Sequence, residues 1–184
     1  MLVKQIDILV HPDFNQTSVP NFPLHELQLA VREKWEQRFN LLKDQEDAVL
    51  IYFSILTLGE IEKRLENPSL ILDKIECEEI YRIKSLKEML GSRFILFGWF
   101  CPPESEIIVN RFSYLGFTYI PEETKIYTYG EIYEMCVAGW GIHTATSLGI
   151  PRSNIKFSRE KSLTKDDGTK IFNWRIYKAN TLSL

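Results

Sequence analysis

Residues 125–151 read KIYTYGEIYEMCVAGWGIHTATSLGIP. The stretch opens as a short apolar strand, turns at Gly130, runs into a nearly all-apolar helix and stops at Gly149 and Pro151. A left-handed glycine followed by a residue that cannot continue a helix is the usual C-terminal punctuation. Gly130 is expected to end the strand, which places Glu131 and Glu134 in the first helical turn, where the positive helix end favours carboxylates. At about 100° per residue, Ile132, Tyr133, Cys136, Val137, Trp140, Ile142, Ala145 and Leu148 cover most of the circumference. The helix should therefore be buried nearly all round. Ala138, Gly139 and Gly141 are small, so a neighbouring element is expected to pack close.

The rest of the chain repeats this strand–helix unit. Gln5–Val10 reads as a buried strand that ends at His11-Pro12-Asp13-Phe14, because proline cannot extend the ladder and Asp favours turns. Leu24, Leu27, Val31, Trp35, Phe39 and Leu42 recur at helical spacing with charges between them. The continuous apolar run AVLIYFSIL from Ala48 suits a strand covered on both faces. A short helix beginning at Gly59-Glu60 should stop before Asn67-Pro68. Leu70–Leu90 reads as mostly helical, with Ser85 and Glu88 spaced as a capping box that would open a fresh turn, and Gly91 as its stop. RFILFGWF gives a third buried strand, and the prolines after Cys101 introduce a helix over Glu104–Leu115. FTYIPEETKIYTY supplies one strand or two.

Strands alternating with helices predict a three-layer, Rossmann-like α/β fold, with a mostly parallel sheet of five or six strands and helices on both faces. Residues 1–184 read as a single domain. Residues 151–184 look different: NIKFS and KIFNWRIY flank the turn signal Asp166-Asp167-Gly168 and read as a terminal strand pair on the sheet edge, the last strand being the candidate for an antiparallel one. On such a fold, ligands bind at the carboxyl ends of the strands near a topological switch point. Four loops should meet there: His11–Asn15, Ser54–Leu58, Trp99–Glu104 and Tyr129–Tyr133.

Composition narrows the function classes. Hydrophobic residues make up 45% of the 184 and charged residues 26%, and the 11 Phe and 8 Tyr supply a sizeable core. The net charge of −3 argues against nonspecific binding to nucleic acid or anionic membranes, which needs an excess of Lys and Arg. Cys77, Cys101 and Cys136 are widely spaced, as expected where thiols stay reduced. The opening MLVKQIDILV is interrupted by Asp7 and does not read as a signal peptide, and no apolar run reaches a membrane span. A cytoplasmic location is the expectation.

Two motifs carry possible chemistry. Cys136 falls near a helix start, where a thiol's pKa tends to fall. Gly130, Glu134, Cys136 and Val137 resemble, over about twenty residues, the nucleophile segment of the isochorismatase-like cysteine hydrolases. That resemblance implies a nucleophilic cysteine and an aspartate at the end of the first strand. Here Asp13-Phe14 matches the end of the strand motif, while Leu9 stands at the aspartate position. His143 lies two turns beyond Cys136, too far along the axis for a dyad. Cys101 is a second candidate nucleophile, because it ends a predicted strand at the functional edge.

The cluster His11-Pro12-Asp13 could serve acid–base chemistry or, with His25 or a carboxylate completing the shell, a divalent metal. It resembles over three residues the His-Pro-Asp-Asp opening of the zinc-dependent sugar N-deacetylases, with Phe14 where that family has its second aspartate. No later His-x-x-His is present, and no metal or other cofactor is expected. The glycine-rich phosphate cradles are absent. Residues 151–170 carry a local excess of Lys and Arg that could hold an anion.

The sequence thus supports two readings. One is a small-molecule hydrolase with Cys136 or Cys101 as nucleophile and Asp13 or His11 as its partner. The other is a non-catalytic Rossmann-like module for a ligand or a partner protein, with Tyr129, Glu131 and Tyr133 at the ligand.

Overall fold

A computed structural model describes residues 1–12, 25–71, 74–98, 102–131 and 136–163. The apolar runs form strands buried on both faces, as in Ala48–Phe53, where all six residues are buried. In chain order the elements are β1 (Leu2–Val3), β2 (Gln5–Val10), α1 (His25–Lys43), β3 (Ala48–Phe53), α2 (Leu58–Glu66), α3 (Lys74–Leu90), β4 (Phe94–Phe97), α4 (Ser105–Tyr114), β5 (Thr118–Tyr119), β6 (Lys125–Glu131), α5 (Ala138–Ser147) and β7 (Ile155–Leu163). Strands β4-β3-β2-β6-β7 form a five-stranded sheet in that order, and every neighbouring pair is parallel. The short strands β1 and β5 form a separate parallel ladder.

Strand alternation builds two cores. Ile6, Ile8, Val10, Val49, Ile51 and Ile95 pack with Ile108 and Phe112 of α4 and Trp140 and Ala145 of α5. Leu9, Leu50, Tyr52 and Tyr129 face the opposite layer, where Trp35 and Phe39 of α1, Ile61 of α2 and Ile83 and Leu86 of α3 cover them. This is the three-layer Rossmann-like sandwich that the strand–helix alternation predicts. From β2 the chain builds outward through β3 and β4 on one side, then returns to add β6 and β7 on the other. The switch point therefore lies between β2 and β6.

Local grammar explains several boundaries. Helix α2 starts at a full capping box: Thr57 Oγ1 accepts from Glu60 N–H, and the Glu60 carboxylate accepts from Thr57 N–H at 2.8 Å. Helix α5 presses against β6 at Gly141, where a Cβ would lie 2.4 Å from Thr128 Cγ2. At Gly139, by contrast, a Cβ would meet nothing within 4 Å.

Two expectations are corrected, and one that was left open is resolved. Ser85 and Glu88 do not open a new helix, because α3 runs unbroken from Lys74 to Leu90. FTYIPEETKIYTY yields two strands, β5 and β6. Gly130 does not end its strand: β6 continues to Glu131, so Glu131 belongs to the strand and not to a first helical turn. Gly130 sits at φ 133°, within a register irregularity opposite β7, and a Cβ there would lie 2.1 Å from the Val10 carbonyl oxygen. Only glycine lets β6 pass that close to β2. All of NIKFS but Asn154 falls within β7, which is parallel to β6. The second member of the expected terminal pair, residues 170–177, lies outside the described residues.

Candidate functional site

Strand register sets the site. Val10 of β2 is level with Phe53 of β3 and with Gly130 of β6. The residues one step further, Ser54, His11 and Glu131, therefore form a row across three adjacent strands at their carboxyl ends. With strands about 4.8 Å apart the row spans about 10 Å. It straddles the switch point, and all three side chains are 0% exposed.

Each member is held differently. Ser54 donates its hydroxyl to Glu79 Oε1 at 2.5 Å and accepts from Leu56 N–H at 2.9 Å, while its own N–H donates to the Phe97 carbonyl at 2.9 Å. Glu79 comes from α3 and is itself fully buried. His11 adopts a left-handed backbone, φ 43°, and donates its N–H to the Phe53 carbonyl at 2.8 Å. A non-glycine residue at positive φ is uncommon, although histidine is one of those enriched there. Its ring stands edge-on to Trp140, with centroids 4.7 Å apart, and Trp140 also packs against Phe53. Beside Glu131, the Gly130 N–H donates to Ser162 Oγ at 3.3 Å, and that hydroxyl donates to the Ser158 carbonyl at 2.7 Å. Two carboxylates, Glu79 and Glu131, are thus withdrawn from water at one edge of the sheet. Burial of such groups costs several kcal/mol before compensation, and apolar packing does not require it.

A second buried charge lies deeper, on the α1 side of the sheet. Asp7, fully buried in mid-β2, receives Arg38 Nε at 2.7 Å and an Arg38 terminal nitrogen at 2.9 Å, with the Gln5 amide at 2.7 Å. Burial raises the Asp7 pKa even so, while Asp7's hydrogen bond and charge carry the Arg38 pKa up against its own burial. The Tyr129 hydroxyl lies beside them, and burial followed by the Asp7 charge raises its pKa well above normal. Arg38 also stacks over the half-buried Tyr127, 5.0 Å from its centroid, with Lys156 at 5.5 Å from the same ring. Trp35 adds a tie from α1 to β7, donating to the Lys161 carbonyl at 2.6 Å. Together these fix α1 on the sheet and support the row above.

The candidates from the sequence separate. His11 and Glu131 share the row. Tyr129 is in the core beneath the edge and not on a rim. Cys136 is half-buried against the core of α4 and α5, and burial pushes its thiol up to about 11, the reverse of the fall expected near a helix start. His143 Nε2 donates to the Pro103 carbonyl at 2.7 Å, which ties α5 to the segment ahead of α4. Asp13, Cys101 and Tyr133 lie outside the described residues. Among the described residues, no group of three or more His, Cys, Asp or Glu is placed to hold a metal ion. No described helix is long and apolar enough to cross a membrane.

Sequence reasoning named the Ser54 loop but missed Ser54 itself, Glu79 and Asp7. Asp7 carried a signal: a lone charge inside an apolar strand must find a partner. Glu79 carried none, since its neighbours in ECEEI look like an ordinary solvated helix face. No protein-family model, curated protein or solved structure matches this chain.

Proposed function

We propose that the protein is a ligand-binding module of the doubly wound α/β kind, and that its site lies over the Ser54–His11–Glu131 row. The observation that carries this reading is the row itself: three buried polar side chains level on adjacent strands, at the switch point where such folds bind ligands. The chemistry of the row points to a small molecule bearing hydroxyl or amine groups. Glu79 and Glu131 bring carboxyl oxygens to this edge, a chemistry that matches O–H and N–H groups. Lys156 and Lys161, the described lysines of the basic stretch, are engaged with Tyr127 and with Ser158 and do not serve the row.

The state of Cys136 favours the binding reading over a hydrolase with that cysteine as nucleophile. A thiol titrating at about 11 is thiolate to roughly one part in ten thousand at neutral pH. Among the described residues, burial is what raises it.

Isothermal titration calorimetry with adenosine, methyl glucoside, spermidine and inorganic phosphate tests the proposal. Binding of one of the first three is expected, weakened at least about tenfold by Glu131→Gln or Ser54→Ala. Binding of phosphate alone, or binding indifferent to both substitutions, would contradict it.

A further inference from the structure

We propose that the open edge of β4 pairs with β4 of a second copy of this chain, antiparallel about a two-fold axis, so that the sheet continues through a homodimer. Among the described residues, strand β4 is the last in the sheet order and pairs with β3 on one side only. The Phe97 carbonyl accepts from Ser54 N–H, so Phe97 and Ile95 aim their backbone groups at β3. Leu96, between them, turns its N–H and C=O outward. The strand reads FILF, with none of the lysine, proline or bulge that commonly guards an exposed edge.

The flanks match that edge. A groove of about 420 Å³ runs beside β4, lined by Leu58, Leu96, Phe97, Ile107, Arg111 and Tyr114. Leu58, Ile107 and Tyr114 are 45%, 49% and 82% exposed, an unusual concentration of apolar surface at one place.

Charge selects the occupant. Glu104, the N-cap of α4, falls on the same helical stripe as Ile107, Arg111 and Tyr114, at i, i+3, i+7 and i+10. The stripe is acidic at its start and basic further on. A two-fold axis through Leu96 lets that residue exchange both backbone hydrogen bonds with its symmetry mate. It also sets the two α4 helices antiparallel on the same face, which brings Glu104 of each copy towards Arg111 of the other.

Sedimentation equilibrium on the full chain tests this. A species of twice the 21.6 kDa chain mass is expected at micromolar concentration. Leu96→Lys should raise the dissociation constant at least about tenfold. Glu104→Arg or Arg111→Glu alone, both fully surface changes that leave the fold intact, should raise it about tenfold, since each acts twice across the axis. Combining the two should restore it to within about threefold of the parent. A chain that stays monomeric at every concentration overturns the proposal. So does a dimer that tolerates Leu96→Lys, or one that the combined charge reversal fails to restore.

Discussion

Replacing Arg38 with methionine removes both bonds that its guanidinium makes to Asp7 and leaves a fully buried carboxylate. The carboxylate keeps the Gln5 amide, at 2.7 Å, and the Tyr129 hydroxyl beside it. Breaking one side of a buried pair costs about 3–5 kcal/mol, because the surviving charge keeps its desolvation penalty. That is a large share of a folding free energy of roughly 5–15 kcal/mol. Urea unfolding followed by circular dichroism should show the midpoint falling at nearly constant slope. Adding Asp7→Leu to Arg38→Met removes the second charge and should recover stability to within about 1 kcal/mol of the parent.

The pH dependence supplies a second readout. Burial holds the Asp7 pKa above its ordinary value of 3.8. The folded chain therefore keeps that proton to higher pH than the unfolded chain. The group's contribution is most favourable below 3.8 and is lost as pH rises through the folded pKa. Without Arg38 the folded pKa rises further, so Arg38→Met should regain more stability on acidification than the parent does. A cost below about 1 kcal/mol, with the parent's pH profile, would mean that water reaches the pair and that the burial argument fails.

Other outcomes follow from particular contacts. Thr57→Ala removes the side-chain half of the capping box and should cost about 1 kcal/mol by thermal unfolding. The same change should let the Glu60 pKa return towards 4.5, because Thr57 is what holds it down; in the parent this contribution is present above 4.5 and fades as pH falls through the lowered value, which a carboxyl NMR titration would follow. Gly139→Ala, with open space around it, should stabilise α5 by about 0.5–1 kcal/mol, whereas Gly141→Ala drives a methyl into Thr128 and should destabilise by about 1–3 kcal/mol. Cys136 should react slowly with iodoacetamide at neutral pH and accelerate only as pH approaches its value of about 11, which mass spectrometry of the labelled peptide would report. Rapid labelling of Cys136 at pH 6 would restore the nucleophile reading.

What the sequence could reveal depended on how local the cause was. Continuous apolar runs such as AVLIYF, and helical spacing such as Val31, Trp35, Phe39 and Leu42, place strands and helices because burial acts on every residue of the element. Gly130 misled because glycine marks both turns and bulges. Its real constraint is the approach of the Val10 backbone from another strand, which no local pattern encodes. The row at the sheet edge was legible only as a set of loops. Ser54, His11 and Glu131 lie far apart in the chain, and their common level comes from strand register. Glu79 joins them through the packing of α3. Cys136 drew attention because helix position alone suggests an activated thiol, while its burial depends on α4 and α5 packing together.

The most direct measurement is an amide chemical-shift map of the isotopically labelled protein, titrated in turn with adenosine, methyl glucoside, spermidine and inorganic phosphate. Binding over the switch point predicts shifts concentrated at His11, Ser54, Gly130 and Glu131 with one of the first three, and their loss in Glu131→Gln. Shifts that leave these residues unmoved and gather elsewhere would contradict the account.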